Sequence, residues 1–135
     1  ESHPVLSSPT PEWWSALTLL WDIQPEQVGG WRGIIERIRH PAGFVVVTER
    51  FRPIAAGLAV AVEPWVGLFE VIVAPEHRRL GVGGSVTSSL LSWGAGRGAG
   101  RAYLQVVADN HPAIGLYESL GFGFAYPYWY RRAPA

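Results

Sequence analysis

The sequence predicts one α/β (α+β) domain, a mixed sheet with helices on its faces, and three observations predict it. Apolar residues recur at three- and four-residue steps in two N-terminal segments, a hairpin-like pair of extended runs follows, and from there strands alternate with helices to the C-terminus. A chain of 135 residues, 48% of them hydrophobic, is one domain's worth and has the apolar material for a core.

Residues 1–12, ESHPVLSSPTPE, mix Ser and Pro with few apolar side chains. They read as a leader or linker remnant in which at most a short strand fits, leaving residues 13–135 as the domain. Trp14, Leu17, Leu20 and Trp21 mark one face of a helix from Trp13 to about Asp22. Trp31, Ile34, Ile35 and Ile38 repeat that pattern after Gly29 and Gly30, and Pro41 with Gly43 closes the second helix. Residues 44–48 and 54–62 are β-branched or apolar runs and form a hairpin, with Arg52 and Pro53 as its turn. After Pro64, residues 65–74 are almost continuously apolar, with Glu70 as the single charge; strands of that kind are commonly buried on both faces. A loop over residues 75–84 leads into a helix whose stripe is Val86, Leu90 and Trp93 and whose end is the cluster Gly94, Gly96 and Gly98. Residues 102–107 form the next strand. Residues 112–120 form a helix opened by Asn110 or His111 and stopped by Gly121 and Gly123, and residues 124–130 form a last, aromatic-rich strand. No internal repeat is present.

Charge and composition narrow the function classes. Eleven basic and eleven acidic residues leave a formal net charge of zero, so no long-range field favours nucleic acid or an anionic membrane as partner. The absence of cysteine removes disulfides, thiolate metal sites and a cysteine nucleophile together. The longest apolar runs, such as residues 59–62 and 71–74, fall far short of the ~20 residues that cross a bilayer. Cytoplasm is the default compartment. His3, His40, His77 and His111 lack paired metal-ligand spacing and lie in or beside loops, so surface positions and no metal are expected. A chain without methionine that opens at Glu1 reads as a processed product or an excised segment.

The stretch VIVAPEHRRLGVGGSV, residues 71–86, carries the chemistry. A buried strand runs through a glycine-rich turn directly into a helix. Gly81, Gly83 and Gly84 have no Cβ, so backbone amides of the turn and of the first helical turn can close on phosphate oxygens, with Arg78 and Arg79 as cations at the rim. A purely structural βα turn is the alternative. Two other phosphate motifs fail on the letters: Ser85 follows Gly84 without the Lys of a Walker loop, and Val86 stands where a dinucleotide fingerprint needs Gly.

Arg78, Gly81 and Gly83 in RRLGVG resemble the Arg/Gln-x-x-Gly-x-Gly/Ala acyl-CoA pyrophosphate loop of GCN5-related N-acetyltransferases. A second block, NHPAIGLYESLGF, places Asn110, Ala113, Leu116, Tyr117, Gly121 and Phe122 as in that family's Asn-x-x-Ala-x-x-Leu-Tyr-x-x-x-Gly-Phe stretch. The resemblance is sharp over residues 65–125 and topological before them. It implies a mixed, mostly antiparallel central sheet flanked by helices on both faces, with the first strand here short or missing. It further implies acetyl-CoA (coenzyme A) as cosubstrate, held by the backbone of Val71, Ile72 and Val73, by Arg78, Arg79, Leu80, Gly81, Val82, Gly83, Gly84 and Ser85, and by Asn110, Ala113 and Tyr117. The implied activity is transfer of an acetyl or short acyl group to a primary amine, of a small molecule or a peptide, by direct attack through a tetrahedral intermediate. Tyr117 takes the place of the family's proton donor to the departing thiolate; a core aromatic is its other reading. Asn110 is equally a helix N-cap.

Glu70 is the candidate base, because a carboxylate in an apolar strand has its pKa raised towards neutrality; an exposed edge or an arginine pair is the alternative. Some family members carry a Glu five residues before the matched Asn, where this chain has Gln105, which cannot take a proton. The acceptor sets the demand on a base: at pH 7 a lysine amine is neutral ~0.04% of the time and an α-amine ~10%, deficits of ~4.6 and ~1.4 kcal/mol. Tyr126, Tyr128, Trp129 and Tyr130, with Arg131 and Arg132, could line an acceptor pocket, pack an edge strand or form a homodimer contact. A non-catalytic acyl-CoA-binding half of a tandem protein is the alternative to an enzyme, and a nucleotide-binding module using the same glycine loop is a third option.

Overall fold

The computed structural model describes residues 2–20, 25–77, 81–105, 118–121, 123–126 and 129–132, with backbone alone for Pro25, Val28, Glu70, Gln105 and the residues from 123 onward. Helix α1 (Pro11–Leu20) begins two residues ahead of the periodic pattern because Thr10 caps it. The Trp13 N–H donates to Thr10 Oγ1 at 3.1 Å and the Trp14 N–H to the Thr10 carbonyl at 3.0 Å, while Pro11 takes the first helical position, where its missing N–H costs nothing. Helix α2 (Pro25–Glu36) takes in Gly29 and Gly30, which the sequence reading set before the helix. Packing overrides local preference there: Ile35 is buried, Trp31 and Ile38 join the same core, and the Arg32 guanidinium lies 4.5 Å from the Trp14 ring centre.

Six strands form one sheet: β1 (Ala42–Glu49), β2 (Arg52–Val62), β3 (Trp65–Val73), β4 (Arg101–Gln105), β5 (Gly123–Tyr126) and β6 (Trp129–Arg132), in the order β1-β2-β3-β4-β6-β5. Only β3 and β4 run parallel; the other neighbours are antiparallel. The β1–β2 turn is Arg50–Phe51, both at positive φ (52° and 65°), two residues before the expected Arg52–Pro53 turn. Pro53 instead lies in β2 opposite Thr48, where the ladder shifts register, a place that tolerates a residue without an N–H. Residues 124–130, expected as one strand, contribute to two, with Tyr126 opposite Trp129. Continuous aromatic content hides that break, and Pro127 was the available signal. Leu6 makes an isolated bridge to Phe44 through two backbone hydrogen bonds of 2.9 and 2.8 Å, a rudimentary strand on the edge of β1.

The sheet separates two cores. On one face, α3 (Val82–Ala95) sets Val86 and Leu90 against Val45, Ala55, Ala59, Val66 and Leu68. On the other, α1 and α2 pack Trp13, Leu17 and Ile35 against Phe44, Ala56 and Leu58. Trp13 lies edge-on to Phe44 at 5.0 Å, and its Nε1–H donates to the Gly57 carbonyl at 3.0 Å, so the buried indole keeps a partner. Gly94, read from sequence as a helix stop, lies inside α3: a Cβ there would stand 2.8 Å from Val66 Cβ, so glycine serves the close approach of helix to strand. Among the described residues, no helix is long and apolar enough to cross a membrane, and no cluster of three His, Cys, Asp or Glu side chains could hold a metal.

Candidate active site

The site grows from an irregularity in β3. Its antiparallel ladder with β2 pairs Phe69 with Leu58 and Ile72 with Ala56, so Glu70 and Val71 both stand opposite Gly57. Two residues facing one is a β-bulge, which bends the strand and changes which side chains face which way. Before it, Val66 and Leu68 enter the core under α3; after it, Val71 and Val73 do, while Ile72 joins the opposite core. Among the described residues, the parallel ladder to β4 pairs Trp65↔Arg101 through Leu68↔Leu104.

From Val73 the chain is pinned before it turns. The Ala74 N–H donates to the Ile54 carbonyl at 2.7 Å, and a 3-10 turn at Pro75–His77 follows. Gly81 then opens α3 as its N-cap residue in the left-handed conformation (φ 84°, ψ 0°), and among the described residues nothing lies within 4 Å of where a Cβ would be and no side chain caps the helix. The first turn is Val82, Gly83, Gly84 and Ser85, with no acidic residue. The Ser85 N–H donates to the Gly81 carbonyl at 3.0 Å; a helix leaves its earliest N–H groups without intrahelical acceptors, and an uncapped start keeps them for a ligand at the positive end of the dipole. Small side chains, open space over Gly81 and unspent amides fit a pyrophosphate.

The face of β3 and β4 turned away from α3 carries aromatic rings. Tyr103 lies edge-on to Trp65 at 6.0 Å and to Phe69 at 6.1 Å, and Arg101 lies 5.8 Å from the Trp65 ring. Gly67 lies under Tyr103, since a Cβ there would be 2.6 Å from the phenol oxygen. Phe69 is 39% exposed, so β3 is not covered on both faces as its composition suggested. The sequence reading did not single out these rings, although Trp65, Gly67 and Phe69 alternate on one side of the strand. A concavity of about 590 Å³ lies farther along, between Leu19 and Leu20 of α1, the β1–β2 turn and residues 74–77. His77 borders it, its Nε2 3.4 Å from Glu49, and is mostly covered rather than free on the surface.

Of the residues picked out by sequence, Val71 lies in the bulge, Ile72 and Val73 follow it, and Gly81, Val82, Gly83, Gly84 and Ser85 form the start of α3, which has no side-chain cap among the described residues. Glu70 is described by its backbone alone, in the bulge. Arg78, Arg79, Leu80, Asn110, Ala113 and Tyr117 lie outside the described residues. Gly121 takes positive φ (95°) after the helical Glu118 and Ser119, as its expected stop requires. His3, expected on the surface, is half-buried against Ser85 and Ser89.

The family model of the probable histone acetyltransferase Rv0428c C-terminal domain matches residues 38–131, which contain the bulged strand, the glycine loop and the second sequence block. The chain belongs to the GCN5-related N-acetyltransferase superfamily. Uncharacterized N-acetyltransferase YobR of Bacillus subtilis strain 168 is 31% identical over 123 residues, covering 91% of this chain and 50% of YobR. The ribosomal protein bS18-alanine N-acetyltransferase of Escherichia coli K12 is 41% identical over 58 residues, covering 43% of this chain and 39% of the enzyme. The chain thus spans half or less of the length of these curated relatives. Among solved structures, the Escherichia coli ribosomal-protein-S18-alanine N-acetyltransferase superposes with a TM-score of 0.78 at 22% identity, covering 98% of this chain and 96% of that one. An acetyltransferase from Thermus thermophilus does so with a TM-score of 0.75 at 18% identity, covering 100% and 98%. At those identities the likeness is one of fold, and the N-acetyltransferase fold spans the whole chain.

Proposed function

We propose that this N-acetyltransferase domain transfers an acetyl or short acyl group from acyl-CoA to a primary amine by direct attack. One observation carries the reading: the bulged strand leads, across residues 74–80, to a helix start whose left-handed glycine has no side-chain cap and no neighbour within 4 Å of a Cβ position among the described residues. A linear thioester ending in a pyrophosphate needs both parts, a strand whose backbone its amide-bearing arm can follow and an anion site one loop away.

In this reading the backbone of Val71–Val73 takes the pantetheine arm, and residues 78–85 with Asn110 and Ala113 take the rest of the cofactor. When bound, acetyl-CoA supplies the thioester carbonyl to which the amine adds and from which the thiolate leaves. Tyr117 gives the leaving sulfur its proton, and Glu70, at the bulge, accepts the proton of the amine. Since α3 and its anion site cover one face of β3, the acceptor approaches from the other, past Phe69 and Tyr103. Rings at that entrance suit an amine attached to an apolar or aromatic group. The cytoplasm, where acyl-CoA is available, is the compartment that agrees with a chain lacking cysteine.

The test is thermal stability with acetyl-CoA, CoA, ATP and NAD at matched concentrations, because a ligand that binds only the folded state raises its melting temperature. A rise with acetyl-CoA and CoA alone is the expected result; a rise with ATP or NAD of equal size, or none with CoA, rejects the reading. One observation favours a second reading, a non-catalytic acyl-CoA-binding half of a longer protein: the chain matches only 50% of YobR. In that case CoA binds, but no panel of amines yields turnover and Tyr117→Phe changes nothing measurable.

A further inference from the structure

The leader is tied to the start of α3 by a set of bonds that the activity alone does not call for. The Leu6–Phe44 bridge fixes it to the sheet edge, and Val5 packs on the α3 core, so close to Gly43 that a Cβ there would lie 2.7 Å from Val5 Cγ1. Two residues earlier, His3 spends both of its N–H groups on α3. Its backbone N–H donates to Ser89 Oγ at 2.9 Å, and its Nε2 lies 2.8 Å from Ser85 Oγ. Each serine hydroxyl has already given its own proton to the helix, Ser85 to the Val82 carbonyl at 2.9 Å and Ser89 to the Ser85 carbonyl at 2.8 Å. Both oxygens are therefore acceptors toward the leader, and the imidazole must present Nε2–H.

Ser85 and Ser89 are four apart and lie one above the other on α3. Bonds to both hold the helix against rotation about its axis and against sliding along it, and Ser85 closes the very turn whose amides at Val82, Gly83 and Gly84 have no side-chain cap. We infer that His3 is a positioning residue for the cofactor loop: through Ser85 and Ser89, the extended strap of residues 2–6 sets the direction in which the first-turn amides of α3 point. This rests on the acyl-CoA reading for its consequence and on the hydrogen bonds for its existence. Preorganised donors bind an anion better than mobile ones, and losing one neutral hydrogen bond that holds them is worth about three- to tenfold in affinity.

The test compares wild type with His3→Ala, His3→Gln and Ser89→Ala, using CoA titration calorimetry, steady-state kinetics and amide hydrogen exchange. His3→Ala is expected to weaken CoA binding by that factor and to raise the KM for acetyl-CoA with kcat retained. Its amides at residues 82–85 should exchange faster, while those at residues 90–95 stay as in wild type. His3→Gln, whose amide donates from a similar distance, should restore most of the affinity, and Ser89→Ala, which removes the acceptor of the His3 backbone N–H, should reproduce part of the loss. Equal CoA affinity and equal exchange in folded His3→Ala overturn the inference; should that variant not fold, unchanged exchange at residues 82–85 in Ser89→Ala does so. If wild type itself fails to bind CoA, the functional reading falls, and the exchange measurement still decides whether the strap holds the turn.

Discussion

Gly81 allows backbone strain and anion binding to be separated by three substitutions. Its φ of 84° lies where an L side chain is strained, yet among the described residues nothing lies within 4 Å of the position of a Cβ, so the cost of a side chain there is conformational and not steric. For alanine that cost is about 1–2 kcal/mol, which for a domain of this size lowers the melting temperature by about 3–8 °C. Asparagine and aspartate tolerate the left-handed region and should cost less, and neither gains a capping bond, because a capping side chain needs an extended backbone at that residue. These two are isosteric, so Gly81→Asn and Gly81→Asp should have similar stability and differ in one charge. If a pyrophosphate sits over the first turn, a carboxylate about 6 Å away opposes roughly two negative charges. At an effective dielectric of about 40–80 the penalty is about 1.4–2.8 kcal/mol, a ten- to hundredfold rise in Kd for CoA. Calorimetry with CoA at low and at high salt reads this directly. Equal affinity of the Asn and Asp variants would refute the placement of the anion, and equal stability of wild type and Gly81→Ala would refute the strain.

Three further outcomes follow from named contacts. Trp13→Phe keeps the ring among Trp14 and Phe44 but removes the donor to the Gly57 carbonyl, so it should cost about 1–3 kcal/mol in urea unfolding; a variant as stable as wild type would show that the bond contributes nothing. Gly94→Ala forces a methyl to within 2.9 Å of three Val66 atoms, an overpacking of about 1–3 kcal/mol set against about 1 kcal/mol of helix propensity, so a variant more stable than wild type would mean that helix and strand separate freely. Glu70→Gln should lower kcat/KM and flatten the acid limb of its pH profile if Glu70 is the base, and Tyr117→Phe should lower kcat by about 10²–10⁴ with CoA affinity kept; an unaltered profile or unaltered turnover removes the respective residue from the mechanism.

The glycine-rich entry into α3 was legible in the letters because its demands are local. An anion loop needs residues without Cβ at fixed spacing between a strand and a helix, and RRLGVGGS states that need within eight residues. The same rule misread other glycines. Gly29 and Gly30 lie within α2 and Gly94 within α3, where the deciding terms are Trp31 and Ile35 packing on one core and Val66 pressing on the helix from another strand. The His3 strap could not be read either. A histidine next to proline in a polar leader looks solvated, and its partners are 82 and 86 residues away. The serines at 85 and 89 were a visible pair, but only the fold brings the leader to them.

The bulge shows most directly why side-chain facing was beyond reach. Strict alternation along β3 puts Val66, Leu68, Glu70 and Ile72 on one face, and Val66 and Leu68 lie in the core beneath α3. An unbroken pleat would thus have put Glu70 in phase with that core, where an ionised carboxylate without a partner is costly. The extra residue opposite Gly57 hands the phase to Val71 and Val73 and moves Ile72 to the other core. No turn residue marks the place, and the apolar run reads the same on either side of it. The lone charge that sequence reasoning took as a sign of catalysis is, in the fold, also the residue at which the strand changes phase.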